Sequence, residues 1–363
     1  MAAPITCLRA QAFSVPTDGP ESDGTLSWDK TILVTVHIRA GSHEGFGYSY
    51  TDPSAVLLIK DKLAEILLGK DAFNIPKLNR ALWRSVRNIG RAGIAACAIS
   101  AIDLALWDLK ARLVGISLGA LLGRQRDSVE IYGSGGFTNY DDDSLARQLA
   151  GWVEQDGCHA VKMKIGAEPA RDPSRVLAAR TAIGEDTKLF VDANGAFSAR
   201  GALNMMQKLA QHHISWFEEP VSSDDLPGLT MVREHAGPEL DIAAGEYCFT
   251  LDDVRRMLEA NAVDVQQCDI TRCGGITGFM QAASLCEAFH KPFSAHCAPS
   301  AHLHAACAAP RLRHVEWFHD HVRIEQLLFD GAPSPVNGAI APDASRPGNG
   351  LVLKTRDAAR YAI

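Results

Sequence analysis

The pattern of apolar and polar residues in the first third of the chain predicts strands followed by helices. Three segments are rich in β-forming residues: Ile5–Phe13, Thr31–Arg39 and Gly45–Tyr50. Apolar residues at helical spacing follow at Ala55–Leu68 and Ile94–Leu113. Strands followed by helices indicate an α+β domain, which we assign to residues 1–125.

From about Val129 onward, short β-type runs recur, each followed by an amphipathic helical stretch. The eight predicted strands are Ile131–Gly133, Ala160–Ile165, Lys188–Asp192, Ser215–Glu218, Asp241–Ala244, Asp264–Asp269, Pro292–Ala295 and His314–Trp317. Eight such units are typical of a (β/α)-barrel, an α/β fold, rather than of an open sheet. We predict the barrel over 126–326, and we expect the Pro- and Gly-rich segment 327–363 to return to the N-terminal capping domain and complete it.

Polar residues mark the ends of seven consecutive predicted strands. They are Lys162 and Lys164, Asp192 and Asn194, Glu218 and Glu219, Glu246, Asp269, His296, and Glu316. In a barrel of this type the active site lies at the carboxyl ends of the strands, so the sequence predicts a site there.

Lys162 and Lys164 are two residues apart on one predicted strand. Because side chains alternate along a strand, both point to one face, and the apolar residues Val161, Met163 and Ile165 cover the other. Both ammonium groups are therefore expected in the barrel mouth, where two close cations lower each other's pKa and a lysine can act as a base. The alternative is a basic strand end that is exposed to solvent.

Asp192, Glu218 and Glu246 provide one carboxylate from each of three successive strands. Converging acids repel one another, and a divalent cation would resolve that conflict. All-oxygen ligation with positions left for substrate and water suits Mg²⁺, with Mn²⁺ as an alternative, better than zinc. Glu219 is expected to face elsewhere. The competing interpretation is a set of unrelated acidic loop residues.

Asp269 and His296 end adjacent strands on the other side of the predicted mouth. A carboxylate beside an imidazole fixes its tautomer and raises its basicity, which makes His296 a candidate base. A lone histidine is more often structural, but His296 has an acid at the matching position of the preceding strand. Glu316, on the last strand, is a candidate protonated acid that donates a hydrogen bond to a substrate oxygen, or a partner of a nearby Arg or His.

The composition argues against a nucleic-acid-binding protein and against a membrane protein. The 363 residues carry a net charge of −7, which argues against a nucleic-acid surface. The sequence has no apolar run long enough for a membrane helix, and its first residues, MAAPITCLRAQAF, lack the features of a signal peptide. Nine scattered cysteines suit a reducing compartment. We therefore expect a cytoplasmic protein with neither a nucleic-acid nor a membrane partner.

These residues, in this order, resemble the enolase superfamily and, within it, the mandelate racemase subgroup. The segment AISAIDLALWDLKARLVGISLGALLG (98–123) is similar to the helix that leads into the family's barrel. VKMKIG is similar to the family's Lys-x-Lys strand, and VDANGA, WFEEP and AAGEY are similar to its three metal-ligand strands. The resemblance covers nearly the whole chain, and it implies a symmetric homo-oligomer.

The resemblance implies a shared half-reaction on a small carboxylate substrate. The substrate carboxylate binds Mg²⁺, Lys164 or His296 removes the α-proton, and the metal, Lys162 and Glu316 stabilise the resulting enediolate. Asp269 forms a dyad with His296. Return of the proton to the other face gives racemisation or epimerisation, whereas loss of a β-hydroxyl gives a 2-keto acid.

The resemblance also implies that capping-domain loops select the substrate; we assign these loops to Thr17–Lys30 and His43–Asp52. Their polar residues suit a polyhydroxylated chain better than an aromatic ring, which favours an acid-sugar dehydratase. The predicted substrate contacts are Asn194, His43, Tyr48 and Tyr50. The alternatives are a racemase, an epimerase or another isomerase of the superfamily, a barrel that binds a metal or ligand without catalysis, and loops that are merely solvated.

Overall fold

The computed structural model describes residues 2–363, and the chain begins with a three-stranded antiparallel sheet. Its strands are β1 (Ile5–Ser22), β2 (Ser27–Ala40) and β3 (His43–Tyr50). The three predicted strands lie within them, but the predicted loop Thr17–Lys30 is wrong. β1 and β2 continue as a two-stranded ribbon, in which Glu21 pairs with Trp28. Backbone pairing across the ribbon therefore overrides its polar, Gly- and Pro-containing sequence.

Helices follow this sheet. They are α1 (Ala55–Leu58), a π-helical turn (Ile59–Leu63), α2 (Ala64–Leu67), α3 (Ile75–Ser85), α4 (Ile94–Leu113) and α5 (Leu118–Leu122). The predicted helix Ala55–Leu68 is thus interrupted by a π turn, while α4 has the predicted bounds. α4 lies directly on β3, where a Cβ atom at Gly45 would collide with the carbonyl oxygen of Ala105. The predicted α+β domain is confirmed.

Eight parallel strands then close into a barrel. They are β4 (Val129–Gly135), β5 (Ala160–Lys164), β6 (Lys188–Asp192), β7 (Ile214–Glu218), β8 (Asp241–Ala244), β9 (Val265–Cys268), β10 (Phe293–Ala295) and β11 (Leu312–Phe318). Each strand pairs with the next one along the chain, and β11 pairs with β4 to close the ring. The predicted (β/α)-barrel is confirmed, and every predicted strand overlaps an observed one.

A helix follows each barrel strand. These helices are α6 (Asp142–Glu154), α7 (Asp172–Ile183), α8 (Ala199–Leu209), α9 (Leu226–His235), α10 (Leu251–Glu259), α11 (Gly275–Ala288), α12 (Pro299–Ala308) and α13 (His319–Leu328), with a 3₁₀ turn (Ala210–His212) after α8. Four begin at a side chain that accepts a hydrogen bond from the backbone N–H three residues later: Asp141, Ser198, Asp225 and Thr250. These caps fix where each connecting loop ends. Within residues 2–363, no helix combines the length and apolar character that crossing a membrane requires.

The barrel interior changes from apolar to charged along the strands. The side chains of Tyr132, Phe190 and Trp216 form a buried cluster, in which the rings of Phe190 and Trp216 stack with their centroids 5.2 Å apart. Two residues further along β6 and β7, the side chains are Asp192 and Glu218. Because residues i and i+2 of a strand point to the same side, the apolar cluster forms the floor beneath the charged groups.

The ribbon of β1 and β2 reaches over the carboxyl ends of the barrel strands. The carbonyl oxygen of Asp23, in the turn of the ribbon, accepts a hydrogen bond from Thr138 Oγ1 at 2.9 Å. Gly24 lies so close to the barrel that a Cβ atom there would be 2.7 Å from the carbonyl oxygen of Ile165 and would collide with that of Ala193. The N-terminal domain therefore caps one side of the barrel mouth.

The C-terminal segment contacts both domains. It contains β12 (Phe329–Asp330), β13 (Ala339–Ile340), β14 (Val352–Leu353), α14 (Thr355–Ala358) and a 3₁₀ turn (Ala359–Tyr361). β13 pairs with β4 of the barrel, whereas the backbone N–H of Ile363 donates to the carbonyl oxygen of Ala12 at 3.1 Å. The segment therefore has contacts with the barrel and with the capping domain, and its assignment to the capping domain stays a proposal. These contacts support the proposed division at residues 125 and 326, whose exact limits stay a prediction.

Candidate active site

Three carboxylates converge at the carboxyl ends of β6 and β7 and just beyond β8. Asp192, Glu218 and Glu246 are buried, and each offers an oxygen within 4.8 Å of the others. Burial raises the pKa of Glu218 to about 8, against the opposing charge of Lys162. Glu246 Oε2 accepts no hydrogen bond from the described residues, although His296 Nε2 lies 3.2 Å away. Clustered carboxylate oxygens with free lone pairs fit a hard divalent cation such as Mg²⁺.

Both lysines of β5 reach this cluster from the same side. Lys162 Nζ lies 2.5 Å from Glu218 Oε1 and 2.8 Å from Glu316 Oε1, and Lys164 Nζ lies 2.6 Å from Asp192 Oδ2. Burial alone would lower the pKa of each lysine, but the carboxylates outweigh it and raise both pKa values. The expectation of lowered lysine pKa values is therefore wrong for this arrangement, because each ammonium group directly contacts an acid.

His296 and Asp269 lie together, as their matching strand positions predict. His296 Nδ1 is 3.0 Å from Asp269 Oδ2, and its Nε2 faces the mouth. Burial opposes a charge on the imidazole, but Glu246, Glu316 and Asp269 raise its pKa well above the usual value. Burial would also raise the pKa of Asp269, yet the hydrogen bond from His296 and the charge of Arg272 hold it below the ordinary value. These surrounding acids favour the protonated form of the imidazole, in which Nε2–H can act as a proton donor.

Glu316 is an acceptor here rather than a donor. Its carboxylate accepts hydrogen bonds from Ser134 Oγ at 2.5 Å and from the backbone N–H of Cys297 at 2.9 Å. Burial would raise its pKa, but the charges of Lys162 and His296 lower it well below the usual value. Of the two roles considered from the sequence, the geometry favours ion pairing, with Lys162 as the main partner and His296 Nε2 farther away at 3.7 Å.

Two charged residues of the site are missing from the sequence prediction. Glu219 was expected to face elsewhere, but its φ of +38° breaks the alternation after Glu218 and its side chain is buried. Burial, followed by the charge of Glu246, raises its pKa well above the usual value. Arg272 places Nη1 3.3 Å from Glu246 Oε1 and Nε 3.6 Å from Asp269 Oδ2. The position of Arg272 three residues after Asp269 is the one feature of the sequence that would have indicated an ion pair between them.

A cavity of about 410 Å³ opens above these groups. The barrel lines it with Lys164, Asn194, Glu246, Arg272 and His296, and the capping domain with Asp23, Leu26, Trp28, Lys30, Thr31, Tyr50, Thr51 and Asp52. Asn194 lies where the sequence placed it, and its buried Oδ1 accepts no hydrogen bond from residues 2–363. The lining therefore combines free polar atoms with aromatic and aliphatic surface.

Of the three cap residues predicted to contact substrate, Tyr50 lines the cavity, where its ring stacks on that of His321 with centroids 3.4 Å apart. Tyr48 is fully buried and donates a hydrogen bond to Glu325 Oε1 at 2.6 Å, between the two domains. His43 is exposed beside the β2–β3 turn, at the opposite end of β3 from Tyr50. The predictions for Tyr48 and His43 are wrong because 43–50 is a strand, which leads away from the mouth at about 3.3 Å per residue.

Comparison with known proteins identifies the family to which the chain belongs. Residues 12–123 match the family "Mandelate racemase / muconate lactonizing enzyme, N-terminal domain", and residues 144–358 match "Enolase C-terminal domain-like". A crystal structure of a mandelate racemase/muconate lactonizing enzyme-like protein from Rubrobacter xylanophilus is 47% identical and superposes with a TM-score of 0.97, over 99% of this chain and 100% of that one.

Two curated relatives carry named activities. The L-talarate/galactarate dehydratase of Salmonella typhimurium is 33% identical over 308 residues, which are 83% of this chain and 76% of the relative. Its crystal structure with Mg and L-lyxarohydroxamate superposes with a TM-score of 0.91 at 29% identity, over 100% and 94% of the two chains. The 3,6-anhydro-alpha-L-galactonate cycloisomerase of Streptomyces coelicolor is 33% identical over 370 residues, 99% of each chain.

Proposed function

Because the chain belongs to the mandelate racemase/muconate lactonizing enzyme family of the enolase superfamily, we propose that it is a Mg²⁺-dependent enzyme that removes the proton beside a carboxylate. The reaction then expels a β-hydroxyl as water, so that an acid sugar becomes a 2-keto-3-deoxy acid. The observation that carries this proposal is the convergence of Asp192, Glu218 and Glu246, flanked by Lys164 on one side and His296 on the other.

The three carboxylates would hold the cation, Mg²⁺ or alternatively Mn²⁺. When bound, it supplies positive charge that draws electrons from the substrate carboxylate and so acidifies the α-proton. Glu246 Oε2 has lone pairs free for such a ligand within the described part of the chain. The Mg in the crystal structure of the Salmonella typhimurium dehydratase supports this assignment.

Lys164 and His296 are the proposed proton-transfer pair. They touch different members of the carboxylate cluster, Asp192 and Glu246 respectively, and both line the cavity. One of them takes the α-proton. The electron pair of the broken C–H bond then moves into the substrate carboxylate and forms the enediolate. The other protonates the β-hydroxyl as the C–O bond breaks, so water leaves and the enol product tautomerises to the ketone. Fully buried Lys162, fixed by Glu218 and Glu316, supplies a positive charge against the developing negative charge.

The cavity lining supports an acid sugar as the substrate. Asp23, Thr31, Thr51, Asp52 and Asn194 offer carboxylate, hydroxyl and amide partners for a chain of hydroxyl groups. The related dehydratase is named for talarate and galactarate, which are acids of this kind. The free amide oxygen of Asn194 lies beside the proposed ligand Asp192, whose Oδ1 accepts the Asn194 backbone N–H at 2.9 Å.

An isomerisation is the second candidate. The cycloisomerase of Streptomyces coelicolor aligns over 99% of both chains, more completely than the dehydratase does. The same pair, Lys164 and His296, could return a proton to the intermediate instead of assisting loss of water. The proton-abstraction step is common to both candidates.

A screen of aldonates, aldarates and their anhydro or lactone forms, with Mg²⁺, separates them. We expect a 2-keto acid from at least one acid sugar, detected as its semicarbazone. Loss of one water from the substrate would identify the dehydratase, whereas a product with the substrate's own molecular formula, apart from exchanged deuterium, would identify an isomerase instead. If protein shown to hold Mg²⁺ gives neither signal with any of these compounds, the proposed function is wrong.

The compartment and the assembly state are further proposals. All nine cysteines are free thiols, which supports the cytoplasm as the site of action. A homo-oligomer is proposed from the family relationship, and light scattering on the purified protein tests it. A mass of one 39.1 kDa chain in solution would contradict it.

A further inference from the structure

A second cluster of titratable side chains lies outside the active site, where the capping ribbon meets the last barrel strand. Asp18 and Glu21 are on β1, and His319 directly follows β11 as the first residue of α13. One carboxylate oxygen of each acid and one ring nitrogen of His319 lie within 4.8 Å of one another. Metal–ligand bonds of about 2 Å place ligand atoms roughly 3 to 4 Å apart, so a small adjustment would fit one ion.

One carboxylate oxygen of Glu21, a member of this cluster, lacks a partner among the described residues. Glu21 is 1% exposed, and its Oε2 accepts a hydrogen bond from Trp28 Nε1 at 2.8 Å. Its Oε1 is buried and receives no hydrogen bond from residues 2–363. Leaving a buried carboxylate oxygen unsatisfied is costly, so this atom, independently of the clustering, indicates a ligand.

The side chains around Glu21 also carry an excess of negative charge, which a cation would balance. Asp320, next to His319, is fully buried, and its carboxylate accepts hydrogen bonds from Thr31 Oγ1 and from Arg323 Nη2. Burial, followed by the charge of Asp320, raises the pKa of Glu21 to about 8. The carboxylate of Asp18 pairs with His319, whose Nε2 lies 2.9 Å from Asp18 Oδ2. Three carboxylates therefore face one guanidinium group, and either a proton or a metal ion has to balance them.

We propose that Asp18, Glu21 and His319 bind a divalent transition-metal ion such as Zn²⁺, which fastens the capping ribbon to the barrel rim. An imidazole nitrogen with two carboxylates suits such an ion better than Mg²⁺, which prefers oxygen ligands. The side chains of Asp18 and His319 are 49% and 24% exposed, so the ion can enter from solvent and water can complete its coordination.

The position of this cluster links it to the substrate cavity. Trp28, which donates to Glu21, lines the cavity, and so does Phe318, the residue before His319. Both rings pack edge-to-face against the ring of Phe137, with centroids 5.6 Å and 5.9 Å from it. An ion at the cluster would therefore stabilise the part of the cavity wall that is formed by Trp28 of the ribbon and Phe318 of the barrel.

Zn²⁺ uptake by the purified enzyme, measured by equilibrium dialysis in excess Mg²⁺, tests this proposal. The variants His319→Asn and Asp18→Asn are compared with His43→Asn, which alters an exposed histidine at the far end of β3. We expect the wild type and His43→Asn to bind one more Zn²⁺ than His319→Asn. We expect Asp18→Asn to bind it at least about tenfold more weakly, the loss that even an outer-sphere metal partner causes. Zn²⁺ should also raise the thermal midpoint of the wild type but not that of His319→Asn.

Asp192→Asn shows whether the active site is responsible for the uptake. If this variant loses the extra Zn²⁺ while His319→Asn keeps it, the ion sits on the active-site carboxylates and the proposal is wrong. Equal uptake by wild type and His319→Asn would also overturn it and leave Glu21 as a protonated acid. If His319→Asn does not fold, as judged by circular dichroism, Asp18→Asn at its half-exposed position decides by the same criteria.

Discussion

At the scale of single residues, every cation of the active site is held by a carboxylate. Lys162 contacts Glu218 and Glu316, while Lys164 contacts Asp192. Such pairs fix the side chains in place, and they also set the charge state from which the reaction starts. Proton transfer at the substrate therefore depends on Lys164 and His296 separately, because they belong to different ion pairs.

Replacing either member of the proton-transfer pair should stop the chemistry without unfolding the protein. For Lys164→Ala and His296→Asn we expect kcat to fall by about 10²- to 10⁴-fold, the usual contribution of a positioned acid or base. Keto-acid formation and α-proton exchange in D₂O measure the effect, and Lys164→Ala should abolish exchange from one substrate face. Lys208→Ala, at an exposed position on α8, is the control. Unchanged exchange from that face in Lys164→Ala would contradict the base assignment.

Arg272 is expected to act as a positioning residue. Its guanidinium group lies between Glu246 and Asp269 and thereby orients one proposed metal ligand and the partner of His296. We expect Arg272→Met to lower kcat/KM by roughly 10- to 100-fold, the effect typical of a lost outer-sphere partner of a metal site. Arg272→Lys should recover less than half of the lost kcat/KM, because an ammonium group cannot bridge two acids as the planar guanidinium group does.

A weaker affinity for Mg²⁺ in Arg272→Met, measured by titration of activity, would distinguish positioning from a merely structural role. If both variants keep wild-type kcat/KM and Mg²⁺ dependence, Arg272 has no such role.

The residues of this site differ in how well the sequence predicts them. Lys162 and Lys164 follow from strand alternation, which holds as long as the backbone is extended. Glu219 and Arg272 lie beyond the strand ends, where a left-handed φ or a turn sets the direction of the side chain. No periodicity describes those positions, so their convergence on Glu246 is visible in three dimensions alone.

At the scale of elements, the capping ribbon lines the cavity above the active-site residues. The sequence predicted a polar loop there, since Pro and Gly usually end strands. In the structure the pairing of β1 with β2 is irregular between Pro16 and Glu21, resumes with Glu21 opposite Trp28 and ends at Ser22 and Ser27. The turn of the ribbon contacts the barrel mouth. The paired conformation of the ribbon is stabilised by contacts with the barrel, which are distant in the sequence. Local residue preferences therefore do not predict it.

Gly24 tests the docking of the ribbon. In Gly24→Ala the new methyl group would collide with backbone carbonyl groups of the barrel, so the turn has to move outward. A displacement of about 1 Å near a reacting centre can cost 10²-fold, and we expect kcat/KM to fall by about 10- to 100-fold. Gly19→Ala is the matched control, because a Cβ atom at that position of β1 meets nothing within 4 Å. Equal kcat/KM values in the two variants would show that the docked turn does not matter.

At the scale of the whole molecule, neutral buried histidines make the fold sensitive to acid. His304 joins three elements: its Nδ1 accepts the backbone N–H of Gly119 at 3.0 Å, and its Nε2 donates to the carbonyl oxygen of Asn349 at 3.1 Å. Burial lowers its pKa to about 4. Below about pH 6.5 the unfolded chain binds a proton at this residue and the folded chain does not, so stability is lost as the pH falls from 6.5 toward 4.

The expected contribution of His304 is roughly 3 kcal/mol of unfolding free energy between those pH values. Urea unfolding of His304→Gln, whose amide can both accept and donate, should show a shallower decline with acid than the wild type. His235→Gln, at an exposed position on α9, should decline as the wild type does. Parallel wild-type and His304→Gln curves would mean that the imidazole is not buried in its neutral form.

The barrel itself was predictable because its repeating strand–helix pattern is local. Its closure between β11 and β4, and the return of the C-terminal segment to Ala12 and Asp108, join residues far apart in the chain. The sequence predicted that return from composition alone, without the pairing of β13 with β4.

Removal of the α-proton is the central claim, and proton NMR in D₂O with a reactive acid sugar tests it most directly. With Mg²⁺ we expect the C2 proton to disappear and the 2-keto product to carry one solvent deuterium at C3. After chelation of the metal by EDTA we expect neither change, and Mg²⁺ or Mn²⁺ should restore both. A product that retains the original C2 hydrogen, or turnover that continues unchanged in EDTA, would contradict metal-assisted proton abstraction beside the carboxylate.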